Sequence, residues 1–463
     1  MTARNDMREG GMNTIEYDVI GVGFGPANIA LAIALEELNP RLAIRFLEKR
    51  SHAGWQEGML FEQSDIQNHP LRDLVTPRNP RSRYSFTNFL FENNRLFEHL
   101  NLGLQYPLRI EYAQYVRWVA GFFVHQVDYG VDVVDIEAMV DPAVQTICGY
   151  VVHDRRGRRW RARSVVCAPG RTPNIPPSFA QLRDERIVHL NDYLHAFERV
   201  CDDVYSPRIA VIGGSQSAVE ILLHADGTGL CKSVMGITRN FGFRQKDTSP
   251  FSDEVYFPQF VHMFFHANHK TKDRLRTELA LTNYSSADKD VVKQLYLKLY
   301  LNRILKRESL AVHTNTEVID IQVSVSDVML RLRNTVTGEI THSCFDLVVF
   351  ATGFLDIGNG PKHESYPALL ARLEPWLDLD GGHLNVAFDY RVKFSPGHDD
   401  DAPLYLNGLC ESSHGIGDSG LFSLLSLRSA AIVKALSARL TPCDASSNEA
   451  ANAPGNLVKE AVR

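Results

Sequence analysis

Two glycine-rich turns carry the first chemical signal in this chain. One reads Gly21-Val22-Gly23-Phe24-Gly25-Pro26-Ala27-Asn28, and the other, about 190 residues downstream, reads Gly213-Gly214-Ser215-Gln216-Ser217-Ala218. Each follows a short apolar run and opens a segment with helical spacing. In that setting glycines let the backbone approach a pyrophosphate, and the helix N-terminus faces its negative charge. One such turn is a weak signal. Two in series predict two dinucleotides held face to face, as in a flavoprotein that takes hydride from a nicotinamide. The first cradle is expected to use Gly21, Gly23, Gly25 and Pro26. The second is expected to use Gly213, Ser215 and Ser217.

The residue that ends the second strand of each unit adds to this. Glu48 closes the predicted strand Leu42–Leu47, where an acid holds a ribose hydroxyl. The predicted strand Ser233–Thr238 of the second unit ends instead in Arg239, with Arg244 and Lys246 close behind. A base in that place meets a 2′-phosphate, which predicts NADPH rather than NADH. A surface acid and a solvated basic loop are the plainer readings of these two positions, and the placement weighs against both.

The elements that must position these residues follow from pattern and length. A chain of 463 residues exceeds one ordinary core. Hydrophobic content of 44% and charged content of 22% are those of a water-soluble globular protein. A net charge of −6 with interspersed signs gives no wholesale nucleic-acid or membrane-surface binding. No apolar stretch reaches the ~18–20 residues of a membrane span, so a cytoplasmic enzyme is expected. The cysteines (Cys148, Cys167, Cys201, Cys231, Cys344, Cys410, Cys443) form no Cys-x-x-Cys pair. No metal site or redox dithiol is expected, only reduced and mostly buried thiols.

The predicted fold is α/β, with two Rossmann-like dinucleotide-binding domains and a small helical substrate region. Residues 1–16 read as a flexible leader and 441–463 as a disordered tail. Segments 17–205 and 346–440 form the FAD-binding domain, and 206–345 an inserted NADPH-binding domain. Helices are expected over Pro26–Leu38 and Arg109–His125, and strands over Val144–Val152 and Arg159–Ala168 with a turn at Asp154–Gly157. The strand ending in Ala168-Pro169-Gly170 should re-approach a nucleotide. The buried strand Phe345–Gly353 should do the same, which makes Thr352 and Gly353 cofactor contacts. The stretch Gly54–Pro107 is rich in Arg, Asn, Pro and aromatics with little periodicity, the mark of an irregular functional segment. Its Met59, Trp55, Tyr84, Phe86 and Phe89 should pack, Trp55 beside the cofactor.

Further motifs occur in order along the chain: Leu71-Arg72-Asp73-Leu74-Val75-Thr76, Arg78-Asn79-Pro80-Arg81-Ser82, Asp247-Thr248-Ser249-Pro250-Phe251, Thr282-Asn283-Tyr284-Ser285, Ala351-Thr352-Gly353-Phe354 and Ser413-His414-Gly415. With the two glycine turns they span residues 17 to 435. The ordered set resembles the N-hydroxylating flavin monooxygenases, in particular the L-ornithine N5-hydroxylase branch. The resemblance implies that NADPH reduces bound FAD, that O2 adds to give a C4a-hydroperoxide, and that a neutral primary amine attacks it to become a hydroxylamine. An alkylammonium with a pKa near ~10.4 cannot attack, so the site must desolvate the amine or offer a proton acceptor. The product would feed a hydroxamate siderophore or another N–O or N–N natural product.

By the same resemblance Gln67 faces the flavin, Asn283 is shared between nicotinamide and substrate, and Ser217 and Arg239 hold NADPH. His414 hydrogen-bonds the cofactor or the backbone. The family extends to dimers and tetramers, although no interface is visible in the pattern. Two departures bear on the substrate. Arg72 replaces a lysine and Asp253 an asparagine that grip the α-carboxylate in ornithine hydroxylases. Arginine can still hold a carboxylate bidentately, whereas Asp253 suits an ammonium. Either the two residues pair and L-ornithine stays the substrate, or the substrate is a diamine or another amino acid such as lysine or aspartate. Asn68-His69-Pro70 and Gly417–Leu421 also depart from the family pattern, and His69 could take a proton from the amine. A flavin-dependent NADPH oxidase or reductase is the rival activity.

Overall fold

The computed structural model describes residues 16–143, 146–396, 402–418 and 421–440. The expected leader up to residue 15, the expected tail, Cys443, and Ser419 and Gly420 lie outside them. The chain opens with β1 (Tyr17–Val22), α1 (Pro26–Leu38) and β2 (Ile44–Glu48). Proline at the first helical position presets the backbone of α1. Every residue from Asn28 to Leu35 is buried, so this helix is a core element rather than an amphipathic one. The segment expected to be irregular holds two short helices, α2 (Phe86–Glu92) and α3 (Leu96–Leu102). Next come α4 (Arg109–Gly121), β3 (Val127–Tyr129), β4 (Val133–Val140), β5 (Ile147–Asp154) and β6 (Arg159–Cys167). The α4 helix ends four residues before the expected His125, because the chain there turns into a 3-10 segment, Val124–Gln126.

These strands form a sheet in the order β3-β2-β1-β6-β5-β4, with the strand Leu404–Leu406 also paired to β6. Pairing is parallel from β3 to β6 and antiparallel through the β4–β5–β6 meander. Its core gathers Phe24, Phe46, Tyr112, Tyr115, Val166 and Ile432.

The second unit begins with β7 (Ile187–His189), α5 (Tyr193–Asp203), β8 (Arg208–Ile212), α6 (Gln216–Gly227) and β9 (Ser233–Ile237). Helices α7 (Pro258–His266), α8 (His269–Leu279) and α9 (Lys289–Leu305) lead to β10 (Leu310–His313). An antiparallel meander follows, β11 (Thr316–Val323), β12 (Val328–Asn334) and β13 (Ile340–Phe345), before β14 (Leu347–Phe350). The parallel sheet has the order β10-β9-β8-β14-β7. Strands β7 and β14 therefore belong to this second sheet, which corrects the expected boundaries at 206 and 345. The reason is register: Leu347–Phe350 pairs on one side with β8 and on the other with β7, so the insertion carries its own strand from each flank. Helices α10 (Glu411–His414) and α11 (Leu425–Arg439) complete the chain, with α11 packed on α1.

The thiols are less buried than expected. Cys167 and Cys410 are buried, Cys148 is exposed, and Cys201, Cys231 and Cys344 are half-buried, all of them free. Among the described residues no helix is long and apolar enough to cross a membrane.

Candidate active site

Each glycine turn is closed by a second backbone segment. At Gly23 the backbone φ is +82°, and a Cβ there would lie 2.4 Å from the carbonyl oxygen of Ala168. Only glycine combines that conformation with that approach. A Cβ at Gly25 would meet nothing within 4 Å, so the mouth of α1 stays open to a phosphate. Glu48 is 8% exposed and accepts from the amides of Phe24 (2.6 Å) and Arg50 (3.0 Å). Its carboxylate is thus fixed at the edge of the turn with acceptor capacity left for a hydroxyl. Trp55 stands half-buried, edge-on to Phe422 at 5.1 Å and Tyr112 at 5.8 Å. These residues fit a flavin dinucleotide.

The second turn repeats the construction. A Cβ at Gly213 would lie 2.4 Å from the carbonyl oxygen of Ala351. Ser215 occupies the N-cap position of α6 with no side-chain capping bond, Ser217 sits in its first turn, and Arg239 is exposed beyond the buried Thr238. The return through Ala351 thus meets the second cradle, whereas the expected boundaries had put it in the flavin domain. Thr352 donates its hydroxyl to the Asn174 carbonyl, and Gly353 accepts from the Asn174 amide (3.0 Å) and the His189 ring (2.8 Å). Those groups tie the crossover between the units.

The irregular segment is held at the seam between the cradles. Buried Arg109 at the start of α4 makes a bidentate pair with Glu220 on α6, at 2.9 and 3.0 Å. It also donates to the carbonyls of Met59 and Asp65, both at 2.9 Å. Two residues on, Gln67 has φ +50°, its amide donates to Asp65 Oδ1 (2.9 Å), and its side-chain Nε2 is buried with no partner. A buried orphan donor in a strained backbone marks a ligand-facing position. Burial, with the nearby Asp288 and Glu220 carboxylates adding, pushes the Asp65 carboxyl up to about 6.

Arg72 is placed by its neighbours. Asp73 accepts from the amides of Val75, Thr76 and Phe86 and from the Thr76 hydroxyl. Glu37 of α1 accepts from Arg78, Asn79 and Ser82, which docks that motif onto the first unit. Asn68 donates to the Arg72 carbonyl (2.7 Å) and accepts from Ser423 (3.1 Å). Asn68 thus braces the turn that presents Arg72. His69 is exposed, and its Nδ1 accepts from the Leu71 amide, a turn contact.

The Arg72 guanidinium lies 5.6 Å from the centre of the Tyr256 ring. Asp253 sits in the same 3-10 turn as Tyr256. Asp247 organises that turn by accepting from the Ser249 amide and the Ser252 hydroxyl. No ion pair joins Arg72 to Asp253 among the described residues, although both act on Tyr256 and Tyr106. Burial, and then Asp253, raise the Tyr256 phenol, while Arg72 lowers it. At Tyr106, burial and the carboxylates of Asp288, Asp253 and Asp65 raise the phenol against Arg72. The Tyr256 hydroxyl donates to the Thr282 carbonyl (3.1 Å), which joins this charged group to Asn283.

His414 is fully buried. Its Nδ1 meets the Ser413 hydroxyl (2.8 Å), its Nε2 meets the Phe388 carbonyl (3.2 Å), and its ring stacks on Tyr390 at 4.2 Å. Burial keeps it neutral by lowering its pKa. Of the two expected bonds, the backbone one is present. Cys410 and Asp418 converge on it, but Asp418 is already paired with buried Arg428 (2.7 Å). That arginine extends through Asn407 to Asn28 in the first glycine turn.

Sequence reasoning missed Asp65, Tyr106, Tyr256, the Arg109–Glu220 pair and a buried group around Glu411. Tyr284 stood within a quoted motif, but its partners come from distant segments.

Comparison with known proteins gives matches over nearly the whole chain. Residues 15–356 match the model of a family described as L-lysine 6-monooxygenase/L-ornithine 5-monooxygenase. An L-ornithine N(5)-monooxygenase of Pseudomonas aeruginosa is 33% identical over 94% of this chain and 97% of its own. A reduced-form ornithine hydroxylase structure from that organism superposes with TM-score 0.83 at 33% identity, over 92% of this chain and 100% of its own. An ornithine N-hydroxylase of Kutzneria sp. 744, solved with reduced FAD, NADP+ and L-ornithine, gives TM-score 0.82 at 31% identity, over 91% and 99%.

Proposed function

The chain belongs to the L-lysine 6-monooxygenase/L-ornithine 5-monooxygenase family, and from that premise we propose that it hydroxylates the side-chain nitrogen of L-ornithine. It is a flavin-dependent N-hydroxylating monooxygenase that uses FAD and NADPH. When bound, the reduced flavin activates O2, and the hard chemistry is the cofactor's. The protein binds, orients, excludes water and handles a proton. Gly23, Gly25, Pro26, Glu48 and Trp55 hold FAD; Gly213, Ser215, Ser217 and Arg239 hold NADPH. Gln67 offers its unpartnered amide to the ligands at the seam, and Asn283 faces nicotinamide and amine.

One observation carries the substrate: Arg72 and Asp253 flank the same tyrosine without pairing. A cation and an anion held apart match the α-carboxylate and α-ammonium of an amino acid. A diamine would leave Arg72 without a counter-charge. Asp65, with a carboxyl near 6, is ionised at neutral pH and lies on the Gln67 side of the site, where it draws in a cationic side chain. Oxidation of ornithine there gives a hydroxylamine that acylation turns into an iron-chelating hydroxamate.

A panel of ornithine, lysine, putrescine, cadaverine, diaminopropane, histamine and aspartate, with NADPH, O2 and hydroxylamine all followed, tests this. L-Ornithine should give the highest kcat/KM with hydroxylamine matching NADPH consumed. Peroxide as the sole product from every amine would make the enzyme an oxidase. A diamine as best substrate would overturn the Arg72 assignment.

A further inference from the structure

Asn283 has to meet two ligands at once, so what fixes its loop matters. Inside the inserted unit the loop is pinned at several points. The Tyr284 amide donates to the Ala280 carbonyl (2.7 Å), the Asp247 backbone amide donates to the Leu281 carbonyl (3.0 Å), and the Ser286 hydroxyl donates to the same carbonyl (3.0 Å). The Ser286 carbonyl accepts from the Gln216 amide at the start of α6 (3.0 Å), so the loop is tied to the NADPH turn.

Tyr284 crosses to the other unit. Its hydroxyl donates to the carboxylate of Glu411 on α10, a buried residue. The next residue of that helix, Ser412, accepts from Arg276 on α8. Arg171, which follows the Ala168-Pro169-Gly170 return onto the first turn, lies against both Tyr284 and Glu411. It donates to Asp356 (2.8 Å) and lies 5.3 Å from the centre of the Phe354 ring. The Arg171 Nε and the Asp356 Oδ1 are buried without partners. Burial and Asp356 raise the Glu411 carboxyl, while Tyr284, Arg171 and Arg276 pull it down. The group therefore joins the return of the flavin cradle, the C-terminal flavin-domain segment and the loop that carries Asn283.

We infer that the Tyr284–Glu411 hydrogen bond is a positioning lock: it sets Asn283 so that nucleotide and amine bind cooperatively. This rests on the proposed role of Asn283. Neither residue needs to touch the reacting atoms. Tyr284 acts through the backbone it shares with Asn283, and Glu411 acts through Tyr284. Opening the lock should leave each ligand able to bind alone and remove the gain from binding together.

The test is titration calorimetry of the flavin-loaded protein with NADP+ and L-ornithine, singly and together, beside hydroxylamine yield per NADPH. In the wild type NADP+ should tighten ornithine binding by about fivefold or more. Tyr284→Phe and Glu411→Ala should each reduce that factor to near one, with single-ligand affinities within about twofold and more peroxide per NADPH. Glu411→Gln, which still accepts from Tyr284, should restore the coupling. The double variant Tyr284→Phe/Glu411→Ala should be no worse than either single one. Independent binding in the wild type, full coupling in Tyr284→Phe, or additive losses would overturn the lock. If Tyr284→Phe fails to hold flavin, the contrast of Glu411→Gln with Glu411→Ala decides. A wild type that couples the two ligands yet hydroxylates no amine would sink the activity and leave the lock standing.

Discussion

The two nucleotide cradles share a plan and differ at their rims. In each, a carbonyl from a returning segment closes on the glycine turn: Ala168 on Gly23 and Ala351 on Gly213. The first rim ends in buried Glu48, already bonded to two backbone amides. The second ends in exposed Arg239 on an open loop. A buried, pre-satisfied acid favours a ligand that stays. An exposed base, well hydrated when empty, favours one that arrives with its own charge and leaves again. The contrast suits a resident flavin and an exchanging nicotinamide nucleotide.

The largest effect should come from breaking the first plan alone. Gly23→Ala forces a residue with a Cβ into φ +82° against the Ala168 carbonyl, at a cost of about 1–2 kcal/mol before the clash is counted. The purified variant should be colourless, and activity should fall about 100-fold or more because the reacting groups lose their placement. Gly213→Ala meets an equally close carbonyl without positive φ. It should keep its yellow colour and lose NADPH affinity. If both variants bleach, the cradles are not separable, and the contrast between resident and visitor fails.

Arg239→Ala sharpens the same contrast at the second rim. Loss of a charged hydrogen bond to the 2′-phosphate is worth about 1.5–3 kcal/mol, roughly 10- to 100-fold in the KM for NADPH. NADH kinetics and flavin content should barely move, so preference for NADPH collapses. Unchanged preference would show that another base reads the phosphate.

Much of this was legible in the sequence because it is local. A glycine turn, the helix it opens and the residue ending the next strand lie within one βαβ stretch, and α1 falls on its expected bounds, Pro26–Leu38. The motif order carried the family. What stayed hidden is what the chain brings together from afar. Strands β7 and β14 read as flanks of the first domain, and pairing registers alone place them in the second sheet. No local pattern ties Asp73 to the amides of Val75, Thr76 and Phe86, or Glu37 of α1 to Arg78, Asn79 and Ser82. Glu411, Arg171 and Tyr284 lie more than a hundred residues apart, and no periodicity links them. Arg109 and Glu220, 111 positions apart, are likewise joined only by the fold.

That last pair makes the seam between the cradles, and Asp65 beside it offers the smallest and cleanest test. Its carboxyl sits at about 6 in the folded protein, against a usual 3.8, chiefly through burial. Between those values the folded state binds more protons than the unfolded chain, so stability falls as pH rises from about 4 to about 6 and then levels off. Asp65→Asn removes this titration and keeps the side-chain acceptor for the Gln67 amide. Groups not coupled to Asp65, such as Glu411, titrate alike in both proteins and cancel in the difference. The Tm of the wild type relative to the variant should therefore drop by about 2–4 °C across that window and stay constant above it. A constant difference at every pH would mean that Asp65 is not raised. A difference that grows with pH would mean that Arg109 holds it as a stabilised anion. The second result would add Asp65 to the Arg109–Glu220 ion pair that already crosses the seam, and the independence of the two cradles would have to be argued again.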